Sequence, residues 1–155
     1  MPPNLPPRTR APSTPHTSAP GASLAAGLRA TVRAAVTESD TASAMGSGDV
    51  PVLATPRLLA LAEAAAFAAV APQLAEGLTT VGTSVSLEHR RASPVGAEIV
   101  VEAELTEVDG SRLVFDFIAR VDGTDEDLVL GAGTVERVVL DRKRFIARTA
   151  SARSA

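Results

Sequence analysis

One segment of the 155-residue chain constrains its fold more than any other. Between Pro56 and Ala71 only Arg57 and Glu63 carry a charge, within a run of alanine and leucine that favours helix. Thr55 followed by Pro56 is typical of a helix start, an N-cap residue and then proline at the first helical position, and Pro72 ends the run. Because a helix that is apolar on all sides must be buried, the rest of the domain is expected to surround it.

The remaining ordered sequence has the alternation of β-strands. Residues 28–36 alternate between apolar and polar side chains, which indicates a half-buried strand before the helix. Four more strand-like runs follow the helix, at 79–91, 97–108, 112–121 and 128–141, with Asp-Gly turns after the second and third. No further helix is predicted, so the connections favour antiparallel pairing. The expected fold is α+β, a curved antiparallel sheet wrapped around one long apolar central helix.

The two ends differ in composition from this domain. Seven of the eleven prolines fall within residues 1–20, so we interpret residues 1–26 as a disordered or loosely docked arm. The domain is assigned to residues 27–148, and residues 149–155 to a C-terminal tail. The whole segment 142–155 is basic, with five Lys and Arg and no acid, and a solvated tail is its simplest interpretation.

Composition excludes several classes of function. The chain has no cysteine, which rules out disulfides, thiolate metal sites and a cysteine nucleophile. His16 and His89 are the only histidines, and His16 lies in the arm, so no metal site is expected. A net charge of -3 gives no basic field for nucleic acid. No apolar run is long enough for a membrane span or a signal peptide, so neither membrane nor nucleic-acid partners are expected and the predicted location is cytoplasmic.

Glu63 does not fit a purely structural helix. It shares one helical stripe with Leu59, Phe67 and Val70, and so interrupts an apolar face. An unpaired buried carboxylate is costly and usually finds a partner. Glu63 is therefore either a functional carboxylate in a cleft or a structural one, emerging to solvent or pairing with Arg57.

His89 is the second anomaly. Alternation places Val81, Thr83, Val85, Leu87 and His89 on the inward side of their strand. A single inward histidine is more often structural than catalytic. Together, however, a buried glutamate and an inward histidine are a sufficient pair for general acid–base or nucleophilic chemistry near pH 7.

Five other residues have weaker signals. Thr55 is expected mainly to cap the helix, although its hydroxyl could also face a group bound at the helix N-terminus. Gly82 interrupts a strand and marks a bulge or a close approach to a ligand; Gly131 and Gly133 mark the same or bends of the sheet. Arg137 lies on the opposite strand face from Thr134 and Glu136, and a surface charge is its favoured interpretation.

In combination these segments resemble the fluoroacetyl-CoA thioesterase group of hot-dog-fold proteins. The resemblance covers about residues 28–148. It is carried by Ala54-Thr55 with glutamate eight residues later, the VGTSV-x3-H run from 81 to 89, the S-P-x-G turn at 93–96 and G-x-G-T-x-E-R at 131–137.

The resemblance implies a homodimer of hot-dog subunits with two active sites at the interface. The catalytic threonine, glutamate and histidine of the family fall on Thr55, Glu63 and His89. Its strand glycine, whose backbone N–H holds the thioester carbonyl, falls on Gly82, and its last-strand arginine on Arg137. The implied activity is hydrolysis of an acyl-CoA or related thioester without a cofactor, coenzyme A entering only as part of the substrate.

Two positions depart from the fluoroacetyl-specific pattern. The aromatic gate before the helix is nearest to Val50, and the histidine before Glu-Arg is Val135. Both departures favour hydrolysis of some acyl thioester over fluoroacetyl specificity.

Other functions stay open at this point. One alternative is a non-catalytic hot-dog protein that binds acyl-CoA or another small ligand. Another is a hydratase or dehydratase acting on acyl thioesters, since a carboxylate on the helix and a histidine on a strand suit that chemistry too. A third is a purely structural subunit.

Overall fold

The computed structural model describes residues 24–124 and 128–152. Within them the chain forms five strands and three α-helices. In chain order they are β1 (Arg29–Ala35), α1 (Ala42–Met45), α2 (Thr55–Val70), β2 (Leu78–His89), β3 (Glu98–Asp109), β4 (Arg112–Val121), β5 (Val129–Asp141) and α3 (Arg142–Ala152). Every predicted strand is present, with ends that differ by at most two residues from those expected.

The sheet is antiparallel throughout, in the order β1-β3-β4-β5-β2, and α2 packs against it. The core is formed by one face of the sheet and by α2, whose buried residues are Leu58, Leu61, Ala62, Ala65, Ala66, Ala69 and Val70. The sheet contributes large side chains such as Phe115 and Phe117. Burying each of these stabilises the fold by roughly 1.5–3 kcal/mol, and the small alanines let the strands approach the helix closely. The expected α+β fold around a central helix is confirmed.

The start of α2 differs in detail from the prediction. Ala54 is the N-cap residue, and Thr55 and Pro56 already lie in the first turn. The Thr55 side chain therefore does not cap the helix. The helix start is instead tied to the preceding segment, because Arg57 Nε lies 3.0 Å from Asp40 Oδ1 and the Ala54 N–H donates to the Asp40 carbonyl at 2.9 Å.

A β-bulge changes which side of β2 faces the helix. The pairing of β2 with β5 shifts between Gly82 and Ser84, so Thr83 is the extra residue. Before the bulge Thr80 is buried; after it, Val85 and Leu87 pack against the core. The inward assignment is therefore correct for Val85 and Leu87 and wrong for Val81 and Thr83, because an extra residue reverses the alternation.

The C-terminal segment is a helix, which corrects the prediction that no further helix follows α2. Helix α3 has no buried residues and follows β5 directly. The Arg144 N–H donates to Asp141 Oδ1 at 2.9 Å, so the last residue of β5 satisfies a free N–H of the first turn. The predicted boundary between residues 148 and 149 falls inside this helix.

The N-terminal arm lies mostly outside the described residues, as does His16. Of its last residues, Leu24 is buried in the core, and the adjoining Gly27 N–H donates to the Leu105 carbonyl at 2.8 Å. None of the helices in the described part of the chain has the length and hydropathy of a membrane span.

Candidate active site

Thr55 and His89 form the first polar group of the candidate site. Thr55 Oγ1 lies 2.8 Å from His89 Nδ1, a hydrogen bond between the first turn of α2 and the last residue of β2. The threonine hydroxyl, predicted mainly as a helix cap, thus fixes one nitrogen of the imidazole.

The other ring nitrogen of His89, Nε2, lies in a different environment. Nε2 is buried and makes no hydrogen bond among the described residues. Burial lowers the pKa of His89 below its ordinary 6.5, and the backbone of Arg91 opposes this in part. The imidazole is therefore neutral at pH 7, with Nδ1 hydrogen-bonded to the Thr55 hydroxyl and Nε2 buried without a hydrogen-bond partner among the described residues.

A cavity opens beside this pair. Its volume is about 330 Å³, and Thr55, His89 and Val50 all line it, with Arg90 and Arg91 at its wall. Val50 is 50% exposed. At this position, where the family resemblance implies an aromatic gate, the chain has a small apolar side chain.

Glu63 and Arg137 form the second polar group. Arg137 Nη1 donates to Glu63 Oε2 at 3.0 Å, joining the middle of α2 to β5. Pairing with Arg57, one structural role considered for Glu63, is wrong, since Arg57 pairs with Asp40. The Glu63 side chain remains 34% exposed, so its carboxylate reaches a surface that a substrate can approach.

Arg137 is buried, which corrects its interpretation as a surface charge. It is 7% exposed, and its guanidinium also donates to the Thr80 side chain and carbonyl and lies 5.7 Å from the Phe67 ring centroid. Burial lowers the pKa of Arg137 and Glu63 opposes this; an arginine keeps its charge in either case. The Arg137 cation thus compensates the Glu63 carboxylate inside the fold.

Gly82 lies directly against this second group. A Cβ built on Gly82 would overlap with Glu63 Oε2 and would lie 3.4 Å from Arg137 Nη1. Gly82 also adjoins the bulge, which is one of the two features that its position in the strand indicated. At Gly131 and Gly133, by contrast, a Cβ would run into the β2 backbone, so close strand packing accounts for those two glycines.

A single chain does not bring the two polar groups together. Thr55 and Glu63 are eight residues apart on α2, which a helical rise of 1.5 Å per residue converts to about 12 Å. We call Thr55 with His89 the Thr–His half-site, and Glu63 with Gly82 and Arg137 the Glu–Arg half-site. Among the described residues no group of three or more His, Cys, Asp or Glu is placed to hold a metal ion.

Thr80 contacts Arg137 of the Glu–Arg half-site, and the sequence did not predict it as a site residue. Strict alternation along β2 places it on the outer face. The glycine at position 82 is the only signal in the sequence for the bulge that turns Thr80 inward.

Comparison with known proteins places the chain in a family. Residues 36–143 match the model of the fluoroacetyl-CoA-specific thioesterase family. The chain is 39% identical over 97 residues to the fluoroacetyl-CoA thioesterase of Streptantibioticus cattleyicolor, covering 63% of this chain and 67% of that protein.

Solved structures show the same relationship. A crystal structure of the fluoroacetyl-CoA thioesterase FlK superposes with a TM-score of 0.74 at 31% identity, covering 83% of this chain and 96% of that one. A thioesterase superfamily member from Thermus thermophilus gives a TM-score of 0.76 at 25% identity, with 84% and 94% covered. The chain is a hot-dog-fold thioesterase, and it belongs to the fluoroacetyl-CoA-specific thioesterase family.

Proposed function

We propose that the protein hydrolyses an acyl-CoA thioester to a carboxylic acid and free thiol, at sites shared between the two subunits of a homodimer. The observation that carries the proposal is the division of the catalytic candidates into two half-sites, which lie about 12 Å apart along α2. Each half-site holds part of what thioester hydrolysis needs: a neutral imidazole in one, an anchored carboxylate in the other.

Two features of strand β2 support a dimer. It is at the edge of the sheet, and its outer side pairs with no other strand of the described chain. It has 12 residues, of which five are exposed, namely Gly82, Thr83, Ser84, Ser86 and Glu88. Long unprotected edges tend to pair with another strand. Antiparallel pairing of two β2 strands would give the symmetric, self-complementary interface of a two-fold dimer.

The spacing of the half-sites fits such a two-fold axis. An axis passing α2 near Leu59, midway between Thr55 and Glu63, sets Thr55 of each subunit opposite the partner subunit's Glu63. In β2, an axis midway between Gly82 and His89 sets Gly82 of one subunit opposite the partner subunit's His89. A single axis through both midpoints would set the Thr–His half-site of one subunit against the Glu–Arg half-site of its partner.

The carbonyl oxygen of the thioester would accept a hydrogen bond from the Gly82 N–H, aided by the Thr55 hydroxyl. Such donors stabilise the negative charge that develops on this oxygen, and loss of one typically costs about 3 kcal/mol of transition-state stabilisation. The absence of a Cβ at Gly82 lets substrate and Glu63 meet at this point of the strand.

Two routes lead from there to the products. In the first, Glu63 attacks the carbonyl carbon, the C–S bond breaks, and water then hydrolyses the resulting anhydride. In the second, Glu63 and His89 remove a proton from water, which attacks directly. In the first route the leaving thiolate takes its proton from solvent, and the neutral His89 removes a proton from the water that hydrolyses the anhydride. In the second route His89 passes the proton taken from water to the leaving thiolate.

The acyl group is proposed to be broader than fluoroacetyl. The valines at positions 50 and 135 replace the aromatic gate and the histidine of the fluoroacetyl-specific pattern. The family match supports CoA as the thiol. The cytoplasmic location stays a prediction from the sequence.

The proposal is tested by thiol release from a panel of short, branched and aromatic acyl-CoAs. We expect turnover of at least one thioester, and a loss of about 100-fold or more in kcat/KM for Glu63→Gln and for His89→Ala. Glu76→Gln, at an exposed carboxylate, and His16→Ala are the matched controls and are expected to keep the wild-type rate.

Three results would contradict the proposal. Unchanged thiol release in both variants would reject the assigned residues. Tight binding of acyl-CoA without release of thiol would favour a binding protein, and hydration of an unsaturated acyl-CoA a hydratase.

A further inference from the structure

We infer that Thr80 is a positioning residue for catalysis, which fixes the Arg137 guanidinium and, through it, the Glu63 carboxylate. The inference rests on the proposed function and adds to it a residue outside the threonine, glutamate and histidine set. It is drawn from the hydrogen bonds and burial around Arg137.

Thr80 contacts Arg137 twice. Arg137 Nε donates to Thr80 Oγ1 at 2.8 Å, and Nη2 donates to the Thr80 carbonyl at 2.9 Å. Two parallel contacts from one planar guanidinium fix its orientation as well as its position. Thr80 is 4% exposed, so water does not readily replace its hydroxyl as the acceptor.

The third donor of Arg137 carries this order to the carboxylate. Nη1 donates to Glu63 Oε2, and the Phe67 ring lies beside the guanidinium on another side. Glu63 Oε1 makes no hydrogen bond among the described residues. One carboxylate oxygen is therefore anchored and the other is left for substrate or water, an arrangement that depends on how firmly Arg137 is held.

The bulge in β2 explains why the side chain of Thr80 faces α2 and Arg137. Thr80 and Gly82 are two residues apart and face α2 together before Thr83 reverses the alternation. Thr80 thereby orients the arginine from the same short stretch of strand whose glycine leaves room for Glu63. Bulges often redirect side chains next to active sites in this way.

A pair of substitutions separates the hydroxyl from the shape of the side chain. Thr80→Val keeps the volume and leaves the Nε–H without its acceptor, whereas Thr80→Ser keeps the hydroxyl. We expect kcat of Thr80→Val to fall about 10- to 100-fold with KM changed less than about 3-fold, since small misplacement of a reacting group costs this much. We expect Thr80→Ser to recover to within about 3-fold of wild type.

Thr79→Val is the matched control, because Thr79 is the neighbouring residue on the opposite side of β2 and is half-buried. It is expected to keep the wild-type kcat. A purely structural role for Thr80 would instead lower the unfolding temperature of Thr80→Val while leaving kcat per folded molecule unchanged.

A double-mutant cycle tests whether Thr80 acts through Arg137. In an Arg137→Ala background, Thr80→Val should lower kcat by less than about 2-fold further, since the guanidinium it orients is gone. An undiminished loss in that background, or a Thr80→Ser variant as slow as Thr80→Val, would overturn the inference.

Hydrogen exchange of the Arg137 Nε–H, followed by NMR, gives a readout that needs no turnover. We expect exchange to be at least about 10-fold faster in Thr80→Val than in wild type or Thr79→Val. Equal protection in all three would contradict the inference. If the wild type hydrolysed no thioester, the proposed function would fail, and this exchange measurement would still decide whether Thr80 fixes Arg137.

Discussion

His89 links the chemistry of the site to pH. Its pKa lies below the ordinary 6.5 because the folded chain buries the imidazole, while an unfolded chain leaves it in water. Below pH 6.5 the unfolded state therefore binds a proton more readily than the folded state. The contribution of the neutral His89 to stability is complete above this pH and is lost as the pH falls toward the lowered folded value.

The variant His89→Gln tests this pH dependence of stability, because a glutamine side chain cannot take up a proton. We expect the free energy of unfolding to fall less between about pH 7.5 and pH 5.5 in this variant than in wild type. Denaturant titrations at the two pH values measure this difference. An identical fall in both proteins would show that His89 has the same proton affinity folded and unfolded.

Single residues also show where sequence reasoning succeeds and where it stops. Glu63 is identifiable because a charge on an apolar helical stripe needs a reason, and this holds whatever the fold. The burial of Arg137 and its contact with Thr80 cannot be identified from the sequence, because both depend on the pairing of β2 with β5. A local sequence pattern does not specify where a guanidinium lies relative to another strand.

In strand β2, Gly82 adjoins the bulge and lies against Glu63. The variant Gly82→Ala tests whether this close approach is needed for activity. The added methyl group would overlap with the Glu63 carboxylate, a side-chain end that can shift away from it. We expect kcat/KM to fall by about 10-fold or more and the unfolding temperature to change by only a few degrees.

Gly133→Ala provides the contrast. Its methyl group would overlap with the backbone carbonyl of Ser86, which cannot move without opening the β2–β5 pairing. We expect the main loss there to be in stability, measured by thermal unfolding. The account of Gly82 fails if the two variants show the same balance of lost activity and lost stability.

The start of α2 depends on Asp40. The Thr37 N–H donates to Asp40 Oδ2 at 2.8 Å and, together with the Thr37 hydroxyl and Arg57, holds the pKa of Asp40 below its ordinary 3.8. This stabilisation is present above pH 3.8 and is lost as the pH falls through the lowered folded pKa.

Asp40→Asn should accordingly lower the free energy of unfolding at neutral pH by roughly 1 kcal/mol. It should also lose less stability than wild type when the pH is taken below about 4. Parallel stability curves for the two proteins in acid would contradict this role of Asp40.

The elements themselves are largely predictable from the sequence. Alternation locates every strand, and the apolar run locates α2, since both patterns follow from burying one face or a whole helix. Helix α3 escapes prediction because it buries nothing: its only start signal is Asp141, which belongs to the preceding strand.

At the scale of the whole molecule, the proposal depends on two copies of the chain completing each other's sites. The half-sites lie about 12 Å apart along α2 in one subunit, and pairing of the β2 edges would set each against the other half-site of the partner. The sequence alone could not show this division, because Thr55, Glu63 and His89 carry no indication of which subunit supplies each to a site.

Complementation between two inactive variants tests this directly. A heterodimer of Glu63→Gln and His89→Ala chains, co-expressed with different tags and purified by both, contains one site with both substitutions and one with neither. The account predicts about half of the wild-type activity for this heterodimer, and none when Glu63→Gln is paired with a Glu63→Gln, His89→Ala chain. A Glu63→Gln and His89→Ala heterodimer as inactive as its parents would show that each chain supplies both residues to its own site, and would contradict the shared site.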